Sequence, residues 1–311
     1  MIAFIFPGQG SQKVGMGRAL ADAFPEARAT FDEADAALAE SETLTRLIFD
    51  GPEDQLVLTQ NAQPAILTVS IAAYRVLGSR GIEPAFVAGH SLGEYSANVA
   101  AETLEFADAL RIVRRRGQYM QEAVPVGAGS MAAILGLDAD TVTRACEEAA
   151  DGEVVSPANI NGAGQVVIAG TTAAVQRAGE RAKALGARRV IPLAVSAPFH
   201  CALLKPAEQR LEPELRALRV RDPRVPVVAN VDAEPKRDAA SAIDALVKQV
   251  SAPVRWEQVV RRLASEGVTN YVEVGPGTVL SGLVKKIHKD ARVFNFAAPD
   301  DLAAVEEGLR A

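Results

Sequence analysis

The sequence predicts an α/β fold in which a small domain is inserted into a larger one, and three observations lead to this prediction. Short apolar runs alternate with longer helical patterns along most of the chain, as in domains built around a mainly parallel sheet. The pattern changes between about residues 124 and 195, and it resumes afterwards. We therefore expect a large α/β domain from residues 1–124 and 196–311, an inserted small domain from residues 125–195, and a cleft between them.

The large domain is predicted from apolar runs of strand length that alternate with helical periodicity. Before the insert, the strands are Ile2–Phe6 and Phe86–Ala88, and the helices are Asn61–Leu77, Glu94–Ala101 and Phe106–Glu122. After the insert, with helices between them, strands are predicted at Val225–Ala229, Asn270–Val274 and Val293–Phe296.

The small domain has the element order βαββαβ, which is the order of a ferredoxin-like unit. Its predicted elements, in chain order, are Met131–Leu135, Ala139–Ala150, Val154–Asn159, Val166–Ala169, Ala173–Leu185 and Arg189–Leu193.

Composition and charge exclude several classes of function. The 311 residues are 49% hydrophobic, which is enough to fill a sizeable core. A net charge of -6 disfavours wholesale binding to nucleic acid or to an anionic membrane. Two cysteines, Cys146 and Cys201, and no histidine cluster indicate neither a disulfide framework nor a metal site. The chain shows no basic leader and no apolar run of membrane-spanning length, so we expect a cytoplasmic protein.

Gly89-His90-Ser91-Leu92-Gly93 is a G-x-S-x-G motif between a predicted strand and a predicted helix. In that context it predicts a nucleophile elbow, a tight turn that exposes the Ser91 hydroxyl. The glycines allow a strained turn and close packing of helix on strand, and the helix amides face an anion that forms at the serine. The motif favours acyl transfer through a serine ester. By itself it is equally compatible with a glycine-bounded turn that carries a surface serine.

A serine nucleophile needs a base, and the chain has three histidines. His90 adjoins Ser91, but neighbouring side chains on a tight turn diverge, so we expect it to be a structural hydrogen bonder. His288 lies in a run of lysines that is typical of a solvated helix end. His200 follows a proline-broken stretch near the predicted return to the large domain, where a loop can reach the cleft. Alone it is more typical of a structural histidine, but beside an elbow serine it is the candidate base.

Several separated motifs, in the right order and over nearly the whole chain, carry a family resemblance. They are Phe6–Gln12, Gly89–Tyr95, Arg116–Gly117, Met120–Gln121, Asn159–Asn161, Ser196–His200, Asn230, Gln249, Pro253–Trp256 and Glu273–Gly277. With these motifs the sequence resembles the malonyl-CoA:acyl carrier protein transacylases. The fold of that family is a hydrolase-like α/β core with a ferredoxin-like insert, which agrees with the prediction above.

The resemblance implies that malonyl passes from malonyl-CoA to Ser91 and then to the phosphopantetheine thiol of acyl carrier protein, a ping-pong reaction of fatty acid biosynthesis. His200 would be the base, with a pKa near neutrality, and Gln249 would orient it largely through a backbone carbonyl. The amides of Gln9 and Leu92 would form the oxyanion hole. Without the resemblance, the glycines around Gln9 indicate an ordinary strand-to-helix turn. The resemblance also implies a monomer. No bound cofactor and no metal are expected.

Arg116 decides the predicted acyl group, because a guanidinium can hold the free carboxylate of malonyl with two charge-assisted hydrogen bonds. Adjacent helical residues point about 100° apart, so one arginine of the run Arg114-Arg115-Arg116 can face the cleft while the others face water. The family position selects Arg116, and it places Met120, Asn161 and Phe199 among the substrate-binding residues. Phe199 would crowd an α-methyl branch, so malonyl is expected over methylmalonyl.

Docking of an acidic carrier protein on this negatively charged chain must be local. The candidate docking residues are basic and flank the expected cleft; they are Arg188, Arg189, Lys285, Lys286 and Lys289. Any single one of them is as well explained by solvation of a helix end or a strand edge.

Two alternatives remain at this stage. One is a serine esterase or thioesterase of the α/β-hydrolase class, which the missing HGGG-type loop, the missing acid in Ser-Asp-His order and the presence of Arg116 disfavour. The other is a non-catalytic acyltransferase-like domain that only binds carrier protein, which the intact Ser91, His200, Arg116 and Gln249 disfavour.

Overall fold

In the computed structural model, two β-sheets organise the residues that it describes, which are 1–39, 43–125, 127–195 and 197–310. Ser196, the first residue of one motif quoted above, lies outside these ranges. The strands are β1 (Ile2–Phe6), β2 (Phe86–Gly89), β3 (Gly129–Leu135), β4 (Val155–Gly162), β5 (Gln165–Thr171), β6 (Arg189–Pro192), β7 (Val227–Val228), β8 (Pro235–Lys236), β9 (Asn270–Val274) and β10 (Arg292–Phe296).

The helices surround these sheets, and none of those described is long and apolar enough to cross a membrane. They are α1 (Arg18–Ala23), α2 (Pro25–Leu38), α3 (Leu44–Asp50), α4 (Glu53–Leu56), α5 (Thr59–Ser79), α6 (Leu92–Ala100), α7 (Phe106–Glu122), α8 (Ala139–Ala149), α9 (Thr172–Ala184), α10 (Lys205–Arg216), α11 (Ala239–Gln249), α12 (Trp256–Ser265), α13 (Val279–Ile287), α14 (Asp301–Arg310) and a 3₁₀ helix at Ala202–Leu204.

The larger sheet is mainly parallel, as predicted. Its order is β10-β9-β1-β2-β7-β8, and only the edge strand β8 is antiparallel to its neighbour. Both faces of β1 are covered, because Phe4 and Phe6 belong to one hydrophobic cluster while Ala3 and Ile5 belong to another. Phe6 of β1 is aligned with Gly89 of β2. The loops that leave these two strands therefore start side by side at one edge of the sheet.

The smaller sheet confirms the predicted ferredoxin-like insert. Its order is β4-β5-β3-β6, and each neighbouring pair is antiparallel. The helices α8 and α9 pack on it, with Ile134, Cys146 and Val175 in their shared hydrophobic cluster. The exact domain limits at residues 125 and 195 stay a prediction.

The long helices α5 and α7 pack closely because a glycine lies between them. A Cβ atom on Gly117 would come within 2.5 Å of Cα of Gln60, so only glycine permits this approach. The contact sets the neighbouring residue of α7, Arg116, against α5. The motif Arg116–Gly117 thus positions its arginine through its glycine.

Most predicted elements are confirmed to within a few residues, and two differences have a local cause. The predicted strand Val225–Ala229 is shorter, because only Val227 and Val228 pair with β2. The helix predicted from Glu94 begins two residues earlier, at Leu92, directly after Ser91. Sequence periodicity did not resolve α1–α4 between the first strand and α5.

Candidate active site

Ser91 occupies a strained turn between β2 and α6. Its φ is 53° and its ψ is -108°, a conformation that a residue other than glycine rarely adopts. The flanking glycines permit close packing, because a Cβ on Gly93 would lie 2.1 Å from the carbonyl oxygen of Phe6 and one on Gly89 would lie 1.9 Å from the carbonyl carbon of Gly93. The turn therefore has the geometry that the G-x-S-x-G motif predicts.

His200 meets Ser91 as a hydrogen-bonded pair. Ser91 Oγ lies 2.7 Å from His200 Nε2, and His200 Nδ1 lies 2.9 Å from the backbone oxygen of Gln249. A carbonyl oxygen only accepts, so Nδ1 must carry the proton and Nε2 of the neutral ring must accept from the serine hydroxyl. This tautomer is the one that a general base for Ser91 requires.

The environment of His200 keeps its imidazole neutral. The side chain is 3% exposed, and burial, followed by the positive charge of Arg116, lowers the pKa of His200 to about 3. This value differs from the near-neutral pKa expected from the sequence, because the sequence did not show that the histidine is buried beside a cation. The imidazole is thus available as a proton acceptor throughout the neutral range.

Arg116 lies in the same site, and no described carboxylate bonds to it directly. Its guanidinium donates to Gln63 Oε1 at 2.7 Å, to Gln249 Oε1 at 2.8 Å and to Ser91 Oγ at 3.2 Å, and the residue is 2% exposed. All three acceptors are neutral, and within the described part of the chain Nε has no partner and no ion pair joins Arg116 to a carboxylate. The carboxyl of Glu94 acts on Arg116 at longer range, with Gln249 between them, so the guanidinium has room for an anionic ligand as a direct partner.

The three consecutive arginines diverge as helical geometry requires. Arg115 points to the surface, where it pairs with Glu214 at 3.1 Å. Arg114 does not simply face water, because it donates to the backbone oxygen of Gln60 and to Asn61 Oδ1. Of this run, Arg116 is the residue that enters the site.

A cavity of about 200 Å³ opens onto Ser91 between the two sheets. One wall comes from the large sheet side and carries Ser91 and Arg116, and the other comes from the insert and includes Met131 and Leu193. Five of the residues predicted from the sequence line it beside the Ser91–His200 pair; they are Gln9, Leu92, Arg116, Met120 and Phe199.

Asn161 lies outside this cavity, although the sequence placed it among the substrate-binding residues. Its Oδ1 is 3.0 Å from His90 Nε2, and both residues line an adjoining cavity of about 240 Å³. His90 also packs against Trp256, with ring centroids 5.7 Å apart, which fits its predicted structural role. The substrate contact predicted for Asn161 stays a prediction.

Some of the basic residues predicted for docking line a common surface pocket, and the others do not. Arg188 and Lys286 line one surface pocket of about 410 Å³, whereas Arg189, Lys285 and Lys289 are exposed without lining it. His288, expected to be solvated, instead lies 3.1 Å from the hydroxyl of Tyr271 through Nδ1. Within the described residues, no cluster of His, Cys, Asp or Glu is arranged to hold a metal ion.

The sequence predicted no role for three buried polar residues that lie around Ser91 and His200. Gln63 holds Arg116, Asn230 accepts from the backbone N–H of Ser91 at 2.8 Å, and Glu94 accepts from Gln249 at 2.8 Å. Their signal is a polar side chain inside an apolar segment, as for Gln63 in the buried helix α5. Such a pattern indicates that the polar side chain is buried, but it does not indicate which residue it bonds to.

Comparison with known proteins agrees with this geometry. The family model described as an acyl transferase domain matches residues 3–300. Malonyl CoA-acyl carrier protein transacylase of Bacillus subtilis is 47% identical over 310 residues, 99% of this chain and 97% of the relative. The protein of the same name from Escherichia coli K12 is 51% identical over 306 residues, 98% of each chain.

Solved structures show the same fold over the full chain. An acyl carrier protein S-malonyltransferase from Vibrio cholerae superposes with a TM-score of 0.95 at 46% identity, covering 98% of this chain and 99% of that one. A malonyl-transacylase solved in complex with a holo acyl carrier protein of a type II PKS superposes with a TM-score of 0.96 at 46% identity, covering 99% of both chains.

Proposed function

The chain belongs to the acyl transferase domain family, and from this premise we propose that it moves malonyl from malonyl-CoA to the phosphopantetheine thiol of holo acyl carrier protein, for fatty acid biosynthesis. Full-length relatives at 47% and 51% identity carry that activity in their names. The observation that carries the proposal is the contact of Ser91 Oγ with both His200 Nε2, at 2.7 Å, and Arg116 Nη2, at 3.2 Å. Nucleophile, base and carboxylate holder thus meet at one oxygen.

The first half of the reaction loads Ser91. His200 Nε2 takes the proton of the Ser91 hydroxyl as Oγ attacks the thioester carbonyl of malonyl-CoA. The tetrahedral intermediate collapses, the carbon–sulfur bond breaks, and the imidazolium returns the proton to the departing thiolate. The products are free coenzyme A and a malonyl ester on Ser91.

Two backbone amides are proposed to stabilise the oxyanion. Leu92 is the first residue of α6, so its N–H is one of those that a helix leaves unpaired at its start. Gln9 follows β1, which lies beside β2, and both residues line the cavity at Ser91. Supply of two such donors typically speeds acyl transfer by about 10²- to 10³-fold for each donor.

Arg116 is proposed to select malonyl. The guanidinium is buried and its present partners are neutral, so a substrate carboxylate would be its counter-ion. That carboxylate would also offset the positive charge that lowers the pKa of His200. Binding of malonyl would therefore raise the pKa of His200 and make it a stronger base. A simple acetyl group has no carboxylate, so it neither pairs with Arg116 nor raises this pKa.

The second half of the reaction brings a thiol on a long arm to the malonyl ester. The adjoining cavity of about 240 Å³ shares Gln9, His90 and Asn159 with the cavity at Ser91. Asn159 Oδ1 is buried and accepts no hydrogen bond from the described residues. This oxygen is a suitable acceptor for an amide N–H of the phosphopantetheine arm.

The pocket that contains Arg188 and Lys286 is the proposed docking point for the acidic carrier protein.

The reaction needs no bound cofactor, because exchange of an acyl group between oxygen and sulfur changes no oxidation state, and Ser91 and His200 supply nucleophile and base. A cytoplasmic location is proposed because Cys146 and Cys201 are free thiols.

Intact-protein mass spectrometry after mixing with malonyl-CoA tests the proposal. We expect one malonyl adduct on the wild-type protein, no adduct on Ser91→Ala, and discharge of the wild-type adduct by holo acyl carrier protein. Persistence of the adduct on Ser91→Ala would place the nucleophile elsewhere. Discharge to water at the same rate without a thiol would instead support the esterase alternative.

A further inference from the structure

A buried polar network lies behind Ser91, on the side away from the cavity. Glu94, Asn230 and Gln249 are 1%, 0% and 0% exposed. Buried polar groups are costly unless each is hydrogen bonded, so the network must be satisfied internally. Its contacts converge on one atom, Oε2 of Glu94.

Glu94 Oε2 accepts two hydrogen bonds from residues far away in the chain. The backbone N–H of Asn230 donates to it at 3.0 Å, and Gln249 Nε2 donates to it at 2.8 Å. The residue lies three positions after Ser91, on the first turn of α6. It therefore joins the elbow to the two segments that carry Asn230 and Gln249.

Those two residues hold both backbone groups of the strained serine. Asn230 Oδ1 accepts from the N–H of Ser91 at 2.8 Å, and Gln249 Nε2 donates to the carbonyl oxygen of Ser91 at 2.9 Å. Asn230 Nδ2 also donates to the carbonyl oxygen of Gly89 at 2.7 Å. A positive φ at a serine persists only where the surroundings hold it, and these contacts do so.

The orientation of Gln249 is determined in the same way. Arg116 donates to its Oε1, while Glu94 accepts from its Nε2. An amide that lies between a donor and an acceptor cannot flip without losing both bonds. The backbone oxygen of this residue receives Nδ1 of His200, so the network reaches serine, base and arginine together.

We propose that Glu94 is a positioning residue, whose Oε2 aligns Asn230 and Gln249 and so holds Ser91, His200 and Arg116 in reactive geometry. The inference rests on the proposed malonyl transfer. What matters is an acceptor oxygen at this point and not a negative charge. Burial raises the pKa of Glu94 to about 7, so the carboxyl is partly protonated at neutral pH and still accepts through the same oxygen.

Two substitutions distinguish the position of the acceptor oxygen from the charge of the Glu94 side chain. Glu94→Gln removes the charge and keeps a carbonyl oxygen at the same distance from the backbone. Glu94→Asp keeps the charge and withdraws the acceptor by one methylene group, about 1.5 Å. Displacement of catalytic groups by about 1 Å can cost about 10²-fold in rate.

The measurement is the single-turnover rate of malonyl-ester formation, with malonyl-CoA and with acetyl-CoA, by intact-protein mass spectrometry. We expect Glu94→Gln to stay within about fivefold of the wild type, and Glu94→Asp to lose about 10²-fold at saturating substrate with KM little changed. Both malonyl and acetyl should lose rate, because the elbow serves both, and the loss should be at least as large for malonyl, because the network also holds Arg116. The matched control is Glu273→Asp, which shortens a buried carboxylate that accepts from the N–H groups of Leu280 and Ser281. It should lower Tm and keep the acylation rate.

Each other outcome overturns the inference. A fast Glu94→Asp would show that the acceptor position is unimportant, and a slow or unfolded Glu94→Gln would show that the charge matters. A loss confined to malonyl would place Glu94 in substrate selection. No malonyl ester on the wild-type protein would overturn the proposed function and this inference together, whereas a wild-type ester with a fast Glu94→Asp would overturn this inference alone.

Discussion

Replacing Arg116 by alanine should separate malonyl transfer from acetyl transfer. The guanidinium is 2% exposed, and among the described residues it bonds only to neutral oxygens, at 2.7 Å to Gln63, at 2.8 Å to Gln249 and at 3.2 Å to Ser91. With malonyl bound it would form a buried ion pair, and removal of one member of such a pair typically costs about 3 to 5 kcal/mol. That energy corresponds to about 10²- to 5 × 10³-fold in kcat/KM.

Acetyl-CoA provides the internal comparison, because an acetyl group has no carboxylate to lose. The same substitution also frees Oε1 of Gln249 and Oε1 of Gln63, and any damage from that change affects both substrates. The ratio of the two kcat/KM values therefore reports the carboxylate contact alone. We expect this ratio to fall by about 10²-fold or more.

The assay is transfer of labelled acyl groups to holo acyl carrier protein at several substrate concentrations. Arg115→Ala is the matched control, since Arg115 is the adjacent residue of α7 and pairs with Glu214 at the surface. It should leave both substrates within about twofold of the wild type. Equal losses for malonyl and acetyl in Arg116→Ala would refute the reasoning.

Four further predictions concern helix packing, the pH dependence of rate, the pH dependence of stability, and carrier docking. Gly117→Ala should lower Tm and slow malonyl loading, because the new Cβ would lie 2.5 Å from Cα of Gln60. Overpacking of this kind costs about 1 to 3 kcal/mol of stability. The control is Gly78→Ala on α5, where a Cβ meets no atom within 4 Å, so its Tm in thermal melts should stay close to that of the wild type. The kcat/KM for acylation should stay level from about pH 8 to about pH 5, because burial and Arg116 lower the pKa of His200 below its ordinary 6.5. A fall in kcat/KM centred at or above pH 6.5 would contradict this lowered pKa. For the same reason, stability carried by the neutral histidine should be lost as the pH falls below 6.5, where the unfolded chain binds the proton and the folded one does not. Lys286→Glu should weaken transfer to carrier protein but not ester formation, with a difference that shrinks as salt rises; an unchanged KM for carrier protein would exclude the docking pocket.

Local patterns carried much of the fold prediction. The ferredoxin-like order of the insert and the parallel core strands follow from hydrophobic periodicity, which depends on neighbouring residues alone. The elements that periodicity missed include the two-residue edge strand β8 and the helices α1–α4, of which α1, α3 and α4 have only 6, 7 and 4 residues. So few turns leave no clear helical period to detect.

Prediction of the site was more uneven. The sequence motif places Ser91 correctly on a turn, because strand, glycines and helix are contiguous. It does not reveal that His200 is buried beside Arg116, and so the expected near-neutral pKa was wrong. It also left Glu94 without a role, although this residue adjoins the motif.

By itself, then, the sequence determined the α/β architecture, the strained serine turn and, through its family motifs, the candidate chemistry. Only the tertiary structure decided which groups share an environment. Ser91 meets Arg116, His200 and Gln249 across 25, 109 and 158 positions of the chain. Such contacts come from the packing of separate elements, as where Gly117 admits α7 to α5. The pKa of a base and the partner of a buried carboxyl depend on distances in space, and these are set when the elements pack.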